Sequence, residues 1–552
     1  MIAGSRFDIA ASGDNFEELF SGLEGVDVRP GRFGLKGRIA FRADAIALED
    51  VQLERQVSDA RLGLTVGLGD EQPHLDFDVS ADGRDVRTIL NRVEGFEAFE
   101  QAFSIDARGQ LRGPHWKVDK LDIVVGDAAL TAAGDLEFAA ASKATDFGFA
   151  LNVPSLAALG TVNGRKFREQ GLSLTANVSG GASELKTEEI DLRIGNSDVH
   201  GSVRVRKGDV PEIDVDIHSD KLVYLPLLEE ITEYEKAPEF DDGRLIPDVD
   251  IPFDAMKRVN ATLVLDIAEF QRGKLHLSAV DVDARLRDGT LDVDTVQFNT
   301  LSGALGARAS LAPDGGAGKA SLQLVARDFA PGLMETNEDL AMKTDADLDL
   351  QSTGADLRTL AGNASGIVYI DIRGGRLQLH EMITAIYGDM LEEMLSAINP
   401  LRKTDPNTDF ECLIVPLTVT DGKVAGAPSI FVSTEKLRAV TQGSLNLKTE
   451  EIRVGVRTTP RRIVSISAAE LFNPYVQVVG TLAAPKLAVD EAGVLITGGA
   501  AVATGGLTLL ARGLWDRLSK AGDACKQVSE QARKELAGRF PDLEIEKPAH
   551  QE

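Results

Sequence analysis

Alternation with period two dominates the chain. Leu263, Leu265 and Ile267 share one side of residues 262–268, and Leu348 and Leu350 alternate with Asp347 and Asp349. Val368, Ile370 and Ile372 repeat the pattern, and Leu413, Val415, Leu417 and Val419 form one of the longest rows. Successive strand side chains point to opposite faces, so each run has an apolar face and a face rich in Asp, Arg, Thr or Ser. Glycine-containing turns at Gly273, Asp288–Gly289, Gly374–Gly375 and Asp421–Gly422 separate the runs and predict antiparallel hairpins.

A longer repeat lies beneath the alternation. Strands open at Phe7, Leu75, Phe147 and Ile213, about 70 residues apart, and again at Leu322. Each is followed by a short helical patch, at 15–23, 86–93, 155–159, 222–231 and 332–334. The unit reads as strand, short helix, then several strands, which predicts an extended array rather than separate globules. Residues 235–252, rich in Pro, Glu and Asp, interrupt the fourth unit as a loop.

Two stretches leave the pattern. Residues 380–399 predict a helix with one wide apolar stripe that includes Met382, Ile386, Met390 and Met394, stopped by Pro400. It either packs on the sheet or serves as a plug or lid on an apolar channel. Residues 494–511 carry no charge but contain Gly498, Gly499, Gly505 and Gly506. Eighteen residues is near the short limit for a membrane span, so a segment that packs on the end of the array or dips into a bilayer is preferred. A helix over 513–538 follows, with Leu514, Leu518, Ala521, Cys525, Val528 and Ala532 on one side. Between Arg512 and Lys534, six Lys or Arg face three Asp or Glu, which suits an anionic surface; an ordinary capping helix is the plainer reading. The implied division is repeats over 1–230, an acidic loop over 231–254, a β region over 255–490 and the tail over 491–552.

Composition narrows the classes. The 552 residues hold 59 Lys and Arg against 87 Asp and Glu, a net charge of −28, which repels phosphate backbones and argues against nucleic-acid binding. Hydrophobic residues at 43% rule out a disordered chain. Two cysteines, Cys412 and Cys525, are too few for a disulfide scaffold or a four-cysteine zinc site, and leave both the cytosol and an oxidising envelope open. The start, residues 1–10, lacks a signal-peptide pattern and reads as the inside of a strand. It predicts either a cytosolic protein or a segment upstream of Met1.

Catalytic chemistry does not assemble. None of the seven histidines pairs with another at metal-ligand spacing. The Gly-rich stretch from Pro313 to Ala320 lacks the first glycine and the closing Ser or Thr of a phosphate loop. Asp345, Asp347 and Asp349 alternate as a calcium loop's ligands do, but Leu350 stands where that loop needs Gly, so a solvated face is preferred. No enzyme, metal or cofactor is expected.

Several motifs in order resemble the AsmA-like family of the Gram-negative envelope. They are the strand and short helix over 347–360 with the hairpin from Gly362 to Leu377; Phe410-Glu-Cys-Leu with Val419-Thr-Asp-Gly422; the strands from Val440 to Arg461; Val476-Gln-Val-Val-Gly480 with Ala484-Pro485-Lys486; and the Gly/Ala-rich tail with Cys525 after Asp523. Residues 255–530 match best. The resemblance implies an inner-membrane anchor, absent from this sequence, and a periplasmic β body that helps phospholipid reach the outer membrane, with envelope proteins as partners.

The expected fold is therefore mainly β: a long, twisted antiparallel sheet curled into an elongated apolar groove. At ~4.8 Å per strand, roughly thirty strands would reach about 140 Å. The expected lining is Leu263, Leu265, Ile267, Leu348, Leu350, Val368, Ile370, Ile372, Leu413, Val415, Leu417 and Val419, with Val454, Val456, Val476 and Val478 from the last strands. Exposing a C16 tail to water costs ~12 kcal/mol at about 0.8 per methylene, and such a lining removes most of that barrier. The expected partners are phospholipid and a membrane surface, reached by the tail or an upstream anchor. The alternative is a structural or adhesive envelope protein with closed sandwich cores. An enzyme on a parallel β-helix is set aside, because its rungs repeat at about 20–30 residues.

Overall fold

The computed structural model describes residues 3–15, 31–55, 58–68, 74–89, 95–137, 145–181, 183–229, 244–273, 275–300, 302–329, 343–374, 410–435, 437–460, 476–489 and 523–545. The protein is mainly β: among the described residues 69% are strand and 7% helix. It divides into two units, 1–234 and 235–552.

In the first unit, thirteen long strands among the described residues run from Arg6–Gly13 to Glu212–Val223. Each pairs antiparallel with the next long strand. The repeat is real: Arg6–Gly13, His74–Gly83, Thr145–Val153 and Glu212–Val223 open successive groups, and each of the first three is followed by three more long strands. The patch expected at 155–159 and the described part, 86–89, of the one expected at 86–93 hold single 3-10 turns, Leu156–Ala158 and Val86–Thr88, each burying one side chain, Leu156 and Val86. Three short strands, Phe96–Ala98, Gly160–Val162 and Arg165–Lys166, form a small separate sheet beside these turns.

One expectation fails here. Residues 222–231 were expected to be helical, but the strand Glu212–Val223 extends into them and residues 224–229 are not helical. Pro226 lacks a backbone N–H and disfavours the helical conformation of the residue before it, which opposes a helix here. The patches expected at 15–23 and 332–334 fall almost wholly or wholly outside the described residues.

The second unit is a meander of thirteen strands among the described residues, from Asn260–Arg272 to Pro485–Val489. Asp288 and Gly289, and Asp421 and Gly422, all have positive φ (50°, 81°, 47° and 68°), as two-residue hairpin turns matching the right-handed strand twist require. The Gly-rich stretch near 315 is likewise a hairpin turn, with Lys319 paired to Asp314 at 2.9 Å. Bulges interrupt several ladders, such as between Ile414 and Val419, and bend and twist the sheet. Neither unit's first strand pairs with its last among the described residues, so both sheets stay open, as a curled antiparallel sheet was expected to be.

Part of the acidic loop is pinned rather than loose. The buried carboxylate of Glu450 accepts the backbone N–H groups of Leu245 and Ile246, both at 2.9 Å. Arg358 donates to the Ile246 carbonyl at 3.1 Å and to Asp248 at 3.1 Å.

Candidate functional site

Register, not sequence proximity, builds the site. In the first unit, Ala11, Leu35, Leu53, Ala60, Ala81, Ile105, Ile123, Leu130, Leu151, Leu174, Leu192 and Val199 are successive cross-strand partners on twelve strands. That row runs for about 55 Å at the usual strand spacing. In the second unit, Leu265, Val282, Val296, Ala307, Leu324, Leu348, Val368 and Leu417 form a second row on eight strands.

Neither row is packed like a core. Ala11 is exposed, and the other eleven residues of the first row and all eight of the second are half-buried. Fully burying a Val, Leu or Ile contributes about 1.5–3 kcal/mol, and these side chains realise only part of it.

The sixteen expected lining residues occupy register positions on one face of the second unit. Leu265, Leu348, Val368 and Leu417 belong to the row itself, and Ile370 pairs with Val415 and Ile372 with Leu413 beside it. Leu350 and Val419 flank Gly366, while Leu263 pairs with Ala284. Three are not open lining: Ile267, Val419 and Val478 are 3%, 4% and 3% exposed. Val419 sits in a small packed cluster with Ala364 and Val424, flanked by Leu350, Val368, Leu417, Leu445 and Leu447, so the protein fills this end of the face itself. Val454 pairs with Val478 and Val456 with Val476. The side chains of Val456 and Val476, the helix expected at 380–399 with Met382, Ile386, Met390 and Met394, and the apolar run 494–511 lie outside the described residues.

The opposite face of the same strands is closed by the tail. The helix Ala524–Glu535, capped by Asp523, which accepts the Lys526 N–H at 3.2 Å, lays Ala524, Val528 and Ala532 on Ile367, Tyr369, Cys412, Ile414 and Phe431. Of the stripe expected over 513–538, Cys525, Val528 and Ala532 therefore meet the sheet, and Leu514, Leu518 and Ala521 lie outside the described residues. Cys525 is bonded to Cys412. The described part of the tail is thus a capping helix whose apolar side is already occupied.

Under that helix lies a polar network that alternation misreads. Asp347 and Asp371 are each 1% exposed, so Asp347 is not on the solvated face expected of it; the tail helix covers it. Arg327 donates to Asp347 and to the Ala346 carbonyl. Asp371 accepts Ser529 Oγ at 2.6 Å, Tyr369 Oη at 3.2 Å and Arg373 Nη2 at 2.8 Å. Arg533 lies 4.6 Å over the Tyr369 ring and reaches Asp345 and Asp347 at 3.8 and 3.7 Å. Burial raises the Tyr369 phenol above its ordinary value, opposed by the Ser529 hydrogen bond and the Arg533 charge. The Asp371 hydrogen bonds raise the Arg373 guanidinium. These contacts join the tail helix to the strands beneath it, with Asp347 Oδ2 held, among the described residues, only by the Arg533 charge at 3.7 Å, so the network acts as a structural clasp.

Among the described residues no His, Cys, Asp and Glu cluster could hold a metal, and no helix is long and apolar enough to cross a membrane. No family model and no curated protein matches the chain.

Proposed function

We propose that the protein binds phospholipid acyl chains along its apolar β face and supports lipid transfer between the inner and outer membranes of a Gram-negative envelope, without covalent chemistry. The observation that carries this reading is the twelve-strand row from Ala11 to Val199, aligned partner by partner yet nowhere fully buried. An aliphatic lining that long suits methylene chains, whose head groups stay wet at the rim. The described tail helix covers the opposite face of the second unit, and the lining face remains half-buried away from the packed Ala364, Val419 and Val424 end. The resemblance of the ordered motifs over 255–530 to those of AsmA-like proteins favours the same function. The Cys412–Cys525 disulfide favours an oxidising compartment such as the periplasm, since cytosolic thiols are kept reduced.

The test is direct. The chain is purified from cells, extracted with solvent and the extract examined by mass spectrometry. Phospholipid at or above one molecule per chain is expected; a lipid-free protein would defeat the reading and favour a structural repeat protein. Leu265→Glu and Val415→Asp, both on the half-buried face, should abolish transfer between vesicles while the sheet stays folded.

A further inference from the structure

The repeats of the first unit are not equivalent along their apolar row. Leu53, Ala60 and Ala81 occupy the same strand positions as Ile123, Leu130 and Leu151 one repeat later. Two alanines thus stand where the next repeat has two leucines. The adjacent row differs as well: Arg55 and Ser58 replace Val125 and Ala128, at matching ends of their strands.

The substitutions leave a hollow. A cavity of about 160 Å³ is bordered by Leu53, Ala60, Ala81, Ile89, Phe103 and Arg55. Its floor is apolar, with Phe103 buried at one wall and Ile89 exposed at another. Ser58, Asp59 and Thr88 complete the rim. Arg55 leans over it, donating to the Thr88 carbonyl at 3.4 Å, and partial burial lowers its pKa from the ordinary guanidinium value. The mouth of this apolar hollow therefore carries the guanidinium of Arg55 together with the carboxylate of Asp59.

We propose that this hollow is a discrete subsite for one amphiphile, whose tail lies over Ala60 and Ala81 along the row and whose anionic phosphate group meets Arg55. The inference rests on the reading of the apolar face as an acyl-chain site and adds to it a fixed position and a preferred head-group charge. Arg suits phosphate because its planar fork can donate two parallel hydrogen bonds. The second repeat has the larger Leu130 and Leu151 and the uncharged Val125 in these places.

Dodecyl phosphate below its micellar concentration is the probe, titrated into the full chain by calorimetry, with dodecyl maltoside as the uncharged tail and inorganic phosphate as the bare anion. One saturable dodecyl phosphate per chain is expected at this site. Arg55→Gln should weaken it at least tenfold without changing dodecyl maltoside binding, and Asp59→Asn should tighten it. Ala60→Leu with Ala81→Leu, which copies the second repeat, should remove the site for both amphiphiles. Unchanged affinity in Arg55→Gln, or competition by inorganic phosphate at equal concentration, would overturn the subsite. If the chain carries co-purified phospholipid and Arg55→Gln changes nothing, the subsite alone fails. If the wild-type chain carries none and binds neither amphiphile, the wider reading fails with it.

Discussion

Cys412 and Cys525 lie 113 residues apart in sequence and are joined by a disulfide with their Cα atoms 6.0 Å apart. The bond ties the tail helix Ala524–Glu535 to the strand Phe410–Thr420 at the centre of the only cluster containing several large, fully buried side chains among the described residues. A cross-link closing so long a loop restricts the unfolded chain strongly, and removing such a bond costs about 2–5 kcal/mol. Cys525→Ser is expected to lower the stability of the second unit by that order in urea unfolding. Wild-type protein in reducing buffer should show the same loss, with the tail helix becoming the first site of proteolysis.

The clasp under the helix gives a second expectation. Asp347 is buried, and its partner Arg327 keeps 27% of its side chain exposed. Breaking a buried pair by removing one partner costs about 3–5 kcal/mol, and partial access of Arg327 to water brings this toward the lower end. Asp347→Ala should therefore destabilise by about 3 kcal/mol. The double variant with Arg327→Met should recover part of that loss, which a thermodynamic cycle on the two sites would read.

The strand face was legible because period two survives the bulges: Leu263 to Val478 fall on one side even though the ladder slips between Ile414 and Val419. What covers each face was not legible. Cys525, Val528 and Ala532 announce an apolar helix side but not its partner, which lies more than 100 residues upstream and is chosen by tertiary packing. Asp347 alternates with Leu348 as any solvent-facing residue does, and only the docked helix makes it a buried group. The hollow at Ala60 and Ala81 was missed because alanine in a strand row reads simply as apolar; its meaning comes from comparison with Leu130 and Leu151 at the same repeat positions.

Tyr369 predicts an alkaline limit to the tail's attachment. Burial raises its phenol above the ordinary value of 10.0. Neutral phenol is therefore favoured in the folded state. Its contribution to stability is complete below pH 10.0 and declines as pH rises through the folded-state value. Wild-type protein should lose stability in that window, and Tyr369→Phe should flatten the loss while lowering stability at neutral pH by about 1 kcal/mol through the missing hydrogen bond. Urea midpoints at pH 8 to 11 would check both.

The neighbours Ile367 and Val368 make the sharpest comparison, because they are adjacent in one strand and serve opposite faces. Ile367 is 1% exposed beneath the tail helix, whereas Val368 is half-buried in the apolar row between Leu348 and Leu417. Ile367→Ala should cost about 2–5 kcal/mol with no effect on lipid bound per folded chain. Val368→Asp should shift the balance the other way. It places a charge where acyl chains would lie, and although Val368 also flanks the Ala364, Val419 and Val424 cluster, its partial exposure should make the fall in melting temperature smaller than for a charge at Ile367 while co-purified phospholipid drops severalfold. If Val368→Asp unfolds the second unit as severely as a charge at Ile367 does, the row is a closed core and the lipid path through it does not exist.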